Sequence, residues 1–135
     1  MDCTVRRLYL AGPMVGHADR NFPLFHRVAR LLRHQGYDVF NPAENKDGGV
    51  QRPRAFYMRL DVPALMESDA VVVLPGWEQS RGANLEVWIA IDLGLPIYQH
   101  SEVGETVELE RIEGLQPSSL PFLGEAAHLS PPVVG

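Results

Sequence analysis

The sequence predicts an α/β domain, a doubly wound parallel sheet of four to five strands with helices on both faces. Three observations predict it. Strand-like and helix-like segments alternate as β-α-β-α-β-α-β between residues 5 and 99, the order expected of parallel strands joined by helical crossovers. The run AVVVLPG (70–76) is apolar without alternation and rich in valine, as a strand buried on both faces must be. Glycine or proline closes each of the first three strand-like segments, marking turns into the next element.

Each element has its own local reason. VRRLYLAGP (5–13) reads as a strand ending in a glycine turn. NFPLFHRVARLLRHQGY (21–37) reads as a helix with Asn21 as N-cap and Pro23 in the first turn. Phe25, Val28, Ala29 and Leu32 form its apolar stripe and Gly36 stops it. DVFNP (38–42) is a short strand, and AENKDGGVQRP (43–53) a polar, glycine-bearing loop. RAFYMRLDVPALMESD (54–69) reads as a helix interrupted near Asp61, because Pro63 disfavours continuity there. After the strand at 70–76, the run following Gly82 is a third helix, ending at Leu93-Gly94 before Pro96. LPIYQ (95–99) is the fourth strand. SEVGETVELERIEGL adds a helix or a strand, and the proline-punctuated QPSSLPFLGEAAHLSPPVVG is an arm, a partner contact or a tail. The expected organisation is one domain, with the α/β unit in residues 1–100 and an extension in 101–135 packing on it or on a neighbouring subunit.

Bulk properties exclude several classes. An apolar fraction of 45% is ordinary for a soluble globular protein. No apolar run reaches the length of a membrane span, and the N-terminus lacks a signal-peptide pattern. Cys3 is the only cysteine, which rules out an internal disulfide and a cysteine-based zinc site, so a cytoplasmic location is the default. The five histidines lack metal-ligand spacing; neither a metal nor a cofactor is expected. A net charge of −5 argues against a nucleic-acid polymer as partner. The charge is uneven: residues 1–59 carry ten Lys/Arg against five Asp/Glu, and residues 60–135 two against twelve. Arginine suits phosphate, but codon bias gives the same count, and the arginines as a group read as ordinary surface.

In such sheets ligands bind beyond the carboxyl ends of the strands, at the switch in strand order. The residues placed there are Gly12, Pro13, Met14, Val15, Gly16 and His17 after the first strand, Asn41 and Pro42 after the second, and Pro75, Gly76 and Trp77 through Ser80, Arg81 and Gly82 after the third. Glu86 is the anomaly. Ala83, Ala90 and Leu93 lie at offsets −3, +4 and +7 from it, so it sits on the inward stripe of the third helix, in what reads as the first turn. A buried carboxylate without a partner costs several kcal/mol; it must be paired, protonated or at a site. The ordinary alternatives are equally plain: Glu86 complements its own helix dipole, Ser80 is an N-cap, Asp69 ends a helix, Tyr9 is a core tyrosine and Trp77 a lid over the core. Asp61, beside the proline, could act with Glu86 as an acid/nucleophile pair. Tyr9 could place its hydroxyl near them, and Trp77 could stack on a flat ligand.

Taken together, YLAGPM with a downstream NFP, the segment GYDVFNPA, and SDAVVVLPGWEQSRGANLE resemble the nucleoside 2-deoxyribosyltransferase-like superfamily over residues 5–99. The likeness is strongest to its small phage and bacterial uncharacterised branch and to the 2′-deoxynucleoside 5′-phosphate N-hydrolases. The resemblance implies a flavodoxin-like fold and cleavage of an N-glycosidic bond. It implies Glu86 as nucleophile on the anomeric carbon, Asp61 as the acid assisting the departing base, and Tyr9 orienting the nucleophile. Ser80 would hold a 5′-phosphate, and the turn Gly12 to Gly16 would lie against sugar and phosphate. Asn41, Trp77 and Gly82 complete the expected substrate contacts. A small-molecule nucleotide or nucleoside is the implied partner, and a homodimer or higher homo-oligomer the implied assembly. Two departures stand out. Where the transferases place an extra acid that reads the base, this chain has Leu74-Pro75-Gly76-Trp77; where the phosphate hydrolases have a first-loop arginine, it has Val15-Gly16-His17, with His17, Arg20 or Arg81 as substitutes. The expected activity is hydrolysis of a deoxynucleoside monophosphate. Base exchange between nucleosides, or nucleotide binding without catalysis, are the alternatives.

Overall fold

The computed structural model describes residues 5–46 and 52–120. Cys3, part of the loop expected at 43–53, and the end of the C-terminal extension lie outside the described residues. One five-stranded sheet organises the chain, in the order β2-β1-β3-β4-β5. The strands are β1 (Arg7–Ala11), β2 (Asp38–Phe40), β3 (Ala70–Val73), β4 (Ile97–Val103) and β5 (Thr106–Arg111). The first four are parallel. Helices α1 (Phe22–His34), α2 (Arg54–Met66) and α3 (Arg81–Asp92) connect them.

The continuous apolar run of β3 divides by period two between two cores. Leu8, Leu10, Ala70, Val72 and Leu74 face Phe25, Val28, Ala29 and Leu32 of α1. Tyr9, Ala11, Val71, Val73 and Ile97 face Leu65 of α2 and Ala83, Val87 and Ala90 of α3. Each large apolar side chain buried this way contributes about 1.5–3 kcal/mol. Asp69, expected to end a helix, instead ties β3 to β1: its carboxylate accepts the backbone N–H groups of Arg7 and Arg6 at 2.9 and 3.0 Å, which hold it below the usual carboxylate range.

The structure corrects several expectations. The helix at 54–66 runs unbroken through Asp61 and Pro63. Proline there, in the last turn, removes only the bond to the carbonyl four residues back, that of exposed Arg59. The fifth strand is antiparallel, because Gly104 (φ +63°) and Glu105 close a two-residue turn, too short for a parallel crossover. Pairing with β5 extends β4 to Val103, past the expected end at 99 and across the 100/101 boundary. Asn21 occupies the N-cap position of α1 but makes no cap; its backbone is left-handed (φ 63°) and its amide donates to the Pro13 carbonyl at 2.9 Å. Leu93 is 45% exposed, since α3 ends at Asp92 and the inward stripe stops at Ala90.

Candidate active site

Strand β1 lies between β2 and β3, so the crossover leaving it goes one way and the crossover leaving β3 goes the other. The loops after β1 and β3 part at this switch and leave a crevice. A cleft of about 560 Å³ opens there, large enough for a nucleotide-sized ligand. The first loop (Gly12, Met14, Val15, Gly16), the start of α3 (Ser80, Gly82, Ala83), and Asp61 and Glu86 deeper down all line it.

Glu86 is placed by two elements. Ser80 caps α3, its hydroxyl accepting the Ala83 N–H at 3.1 Å. The helix thus begins at Arg81, and Glu86 falls in the second turn rather than the first. That takes it away from the unpaired N–H groups at the helix start and leaves its environment to burial. Its partner comes from the sheet: the Tyr9 hydroxyl donates to Glu86 Oε2 at 2.5 Å in a buried contact. Tyr9 is itself fixed by stacking on Phe40, with ring centroids 5.3 Å apart and planes 12° from parallel. Burial pushes the Glu86 carboxyl up to about 7, against the Tyr9 hydrogen bond, while Asp61 adds to the rise. The Tyr9 phenol is held far above its usual value, chiefly by burial and then by the charges of Glu86 and Asp61. Tyr9 keeps its proton and Glu86 titrates near neutrality, an arrangement suited to a nucleophile.

The loop leading into α3 is held by a residue the sequence reading missed. The buried side-chain amide nitrogen of Asn84 serves the carbonyl oxygens of Trp77, Glu78 and Ser80 at 3.1, 3.0 and 2.8 Å. Gly12 also has a packing reason. A Cβ there would lie 2.8 Å from Leu74 Cβ, so Gly12→Ala is expected to destabilise the fold by about 1–3 kcal/mol in denaturant unfolding.

Of the residues expected at the site, Gly12, Met14, Gly16, Asp61, Ser80, Gly82 and Glu86 converge on this cleft, and Tyr9 stands behind Glu86. Three are elsewhere. Asn41 is a turn residue, its side chain accepting from the Ala43 N–H at 3.0 Å and meeting His26 Nδ1 at 3.1 Å. Trp77 belongs to the core beneath α3. Pro13 is buried, with its carbonyl serving Asn21. Four cations line the cleft, Arg20, Lys46, Arg52 and Arg54, and the sequence reading overlooked the last three. Of the three substitutes expected for the first-loop arginine, Arg20 lines the cleft, and His17 and Arg81 do not. Among the described residues, no ion pair engages Arg20, Arg52 or Arg54. The signal that could have found them is the excess of Lys/Arg in residues 1–59.

Among the described residues, no group of three or more His, Cys, Asp or Glu could hold a metal ion, and no helix is long and apolar enough to cross a membrane.

Among solved structures the chain is similar to a 2-deoxyribosyltransferase from the psychrotolerant bacterium Bacillus psychrosaccharolyticus, with a TM-score of 0.58 and 23% identity over 76% of this chain and 77% of that one. It is also similar to a conserved protein from Enterococcus faecalis V583, with a TM-score of 0.54 and 22% identity over 70% of this chain and 62% of that one. At these identities the likeness is one of fold. No curated protein matches the chain. A family-level match covers residues 6–99, from β1 into the start of β4, and by it the chain belongs to the family described as Domain of unknown function (DUF4406).

Proposed function

We propose that this protein is an N-glycosidase that cleaves the base–deoxyribose bond of a 2′-deoxynucleoside 5′-monophosphate with Glu86 as nucleophile. The observation that carries the reading is the buried Glu86 carboxylate at the cleft, hydrogen-bonded by Tyr9 at 2.5 Å. Cleavage of a glycosidic bond builds positive charge on the anomeric carbon, and a carboxylate held against that carbon stabilises it. Tyr9 occupies Oε2, so Oε1 attacks. The glycosyl ester then falls to water, or to a second base if the enzyme is a transferase like its fold neighbour from Bacillus psychrosaccharolyticus.

The cations favour the monophosphate over the free nucleoside. Arg54 Nη1 lies 3.6 Å from where a Cβ on Gly82 would be, beside the start of α3. The Ser80 hydroxyl accepts from Ala83, which leaves its own proton to donate. A phosphate held there would meet a guanidinium, a hydroxyl and the helix N-terminus together. Arg54→Ala is therefore expected to narrow the preference for monophosphate over nucleoside by about 10- to 100-fold, read from kcat/KM on matched pairs. A homo-oligomeric assembly, which rests on the resemblance, and a cytoplasmic location, which rests on the lone cysteine, complete the reading.

The test is a panel of deoxynucleoside 5′-monophosphates and the matching nucleosides, with free base quantified by chromatography and Glu86→Ala as control. Base released from monophosphates and lost in the variant supports the hydrolase. Release only with a second base added replaces it with a transferase. No release from any member overturns catalysis in favour of nucleotide binding.

A further inference from the structure

One ionic pair in the cleft joins Lys46 to Asp61, the residue that the resemblance makes an acid for the departing base. Asp61 projects from α2 with its carboxylate only 4% exposed, and Oδ2 lies 3.7 Å from Lys46 Nζ, whose side chain is 17% exposed. The Asn45 and Lys46 side chains hydrogen-bond the Asp61 carboxylate, but among the described residues its buried Oδ1 has no hydrogen-bond partner. Leaving such an oxygen unsatisfied is costly, and both residues line the cleft. The Lys46 ammonium also sits 4.7 Å from the centroid of the Tyr57 ring. The cleft thus presents an acceptor without a donor and a partly desolvated cation next to it.

Each part of a bound nucleotide can be weighed against this pair. A phosphate beside Asp61 would set like charges together, and the Arg54 edge suits it better. A deoxyribose esterified at O5′ and joined at C1′ keeps a single hydroxyl. The base alone carries both an N–H and an acceptor on one edge. Bases leave in two ways. Amino bases such as adenine and cytosine leave after a ring nitrogen gains a proton, which a neighbouring ammonium opposes. Lactam bases, with a ring N–H beside a carbonyl, can leave as an anion whose charge gathers on the carbonyl oxygen, and an ammonium stabilises that.

We infer that Asp61 and Lys46 are the base-recognition site and select a lactam base, Asp61 Oδ1 accepting the ring N–H and Lys46 Nζ meeting the carbonyl oxygen. The inference rests on the N-glycosidase reading above. In the step it describes, an oxygen of Glu86 bonds to C1′ and the pair of the C1′–N bond goes to the base. Lys46 neutralises the charge on the carbonyl oxygen, and the base anion takes its proton from water. Lys46 thereby acts as a catalytic residue as well as a specificity residue.

Two substrate pairs differ only in oxo against amino: dUMP against dCMP, and deoxyinosine 5′-monophosphate against dAMP. Base release by the wild type and calorimetric binding to Glu86→Gln are each expected to favour the oxo member about tenfold or more. Lys46→Met is expected to erase that preference and to cut turnover of the oxo members about 10²-fold, and Lys46→Arg to restore part of both. Across 5-fluoro-, unsubstituted and 5-methyl-dUMP, Lys46→Met is expected to hurt the poorest leaving group most. Equal handling of both members of each pair would overturn the inference. So would a uniform loss across all four substrates in Lys46→Met, as expected if the pair held the sugar hydroxyl or only the fold. Oxo-selective binding with no base released by the wild type would support the base site and overturn the glycosidase reading instead.

Discussion

Glu86→Gln is expected to release base about 10⁴-fold or more slowly than the wild type, because a nucleophile removed from its constellation costs on that order. Glutamine keeps the shape and an oxygen that still accepts the Tyr9 hydroxyl, so the loss is one of charge. The same variant has a signature in stability. Glu86 has a folded value of about 7 against an ordinary 4.5, raised first of all by burial. Below about 4.5 the carboxyl is protonated in both states and imposes no penalty. Between 4.5 and about 7 the unfolded chain ionises it while the folded chain keeps the proton, so stability falls as pH rises and levels off above about 7. The shift corresponds to about 3 kcal/mol. Denaturant unfolding of wild type and Glu86→Gln at pH 4 and pH 8 reads it: the variant gains on the wild type as pH rises. A wild type that tracks the variant across this window would mean that Glu86 is not buried as described.

The parts of the fold written in periodicity and punctuation were legible. The valine run of β3 and the stripe Phe25-Val28-Ala29-Leu32 of α1 follow from which residues must leave water, and the parallel pairing of β1 to β4 from the alternation of strands and helices. The departures have local causes. Pro63 reads as a break because sequence spacing does not tell how near the helix end it falls; in a last turn it costs one hydrogen bond. The segment 101–115 is ambiguous by pattern, and its outcome hangs on Gly104 and Glu105, a turn that commits the chain to an antiparallel edge.

The candidate site was legible where a residue breaks a pattern. Glu86 is conspicuous as an acid on an apolar stripe, and Tyr9 and Asp61 become legible only with it. Lys46, Arg52 and Arg54 break no pattern: they sit in a polar loop and at an exposed helix start, where basic residues are common. Only the folded chain brings them to one cleft. Asn41 and Trp77 err the other way. Both follow strands, where ligands bind, but Asn41 spends its side-chain oxygen on closing a turn and its nitrogen on His26, and the ring of Trp77 fills the core.

Tyr9→Phe is expected to move the acid limb of the activity profile. In the wild type, on the proposed reading, kcat/KM is expected to rise with pH through about 7 as Glu86 loses its proton. Tyr9 contributes no limb of its own, since burial and its acidic neighbours hold the phenol protonated well beyond any working pH. The hydrogen bond from Tyr9 stabilises the Glu86 carboxylate and lowers its value, so removing the hydroxyl moves the limb upward, by about one unit or more. At neutral pH two losses then combine. Fewer molecules carry the charged nucleophile, and the remaining carboxylates lose the bond that aims Oε1, worth about 10²-fold by comparison with other oriented donors. The two separate in the profile: the first disappears at high pH and the second persists there as a lowered plateau. A Tyr9→Phe enzyme with a depressed plateau but an unmoved limb would mean that the titrating group is not Glu86. Asp61 would then be the carboxylate to test next, since burial raises it as well while Lys46 opposes the rise.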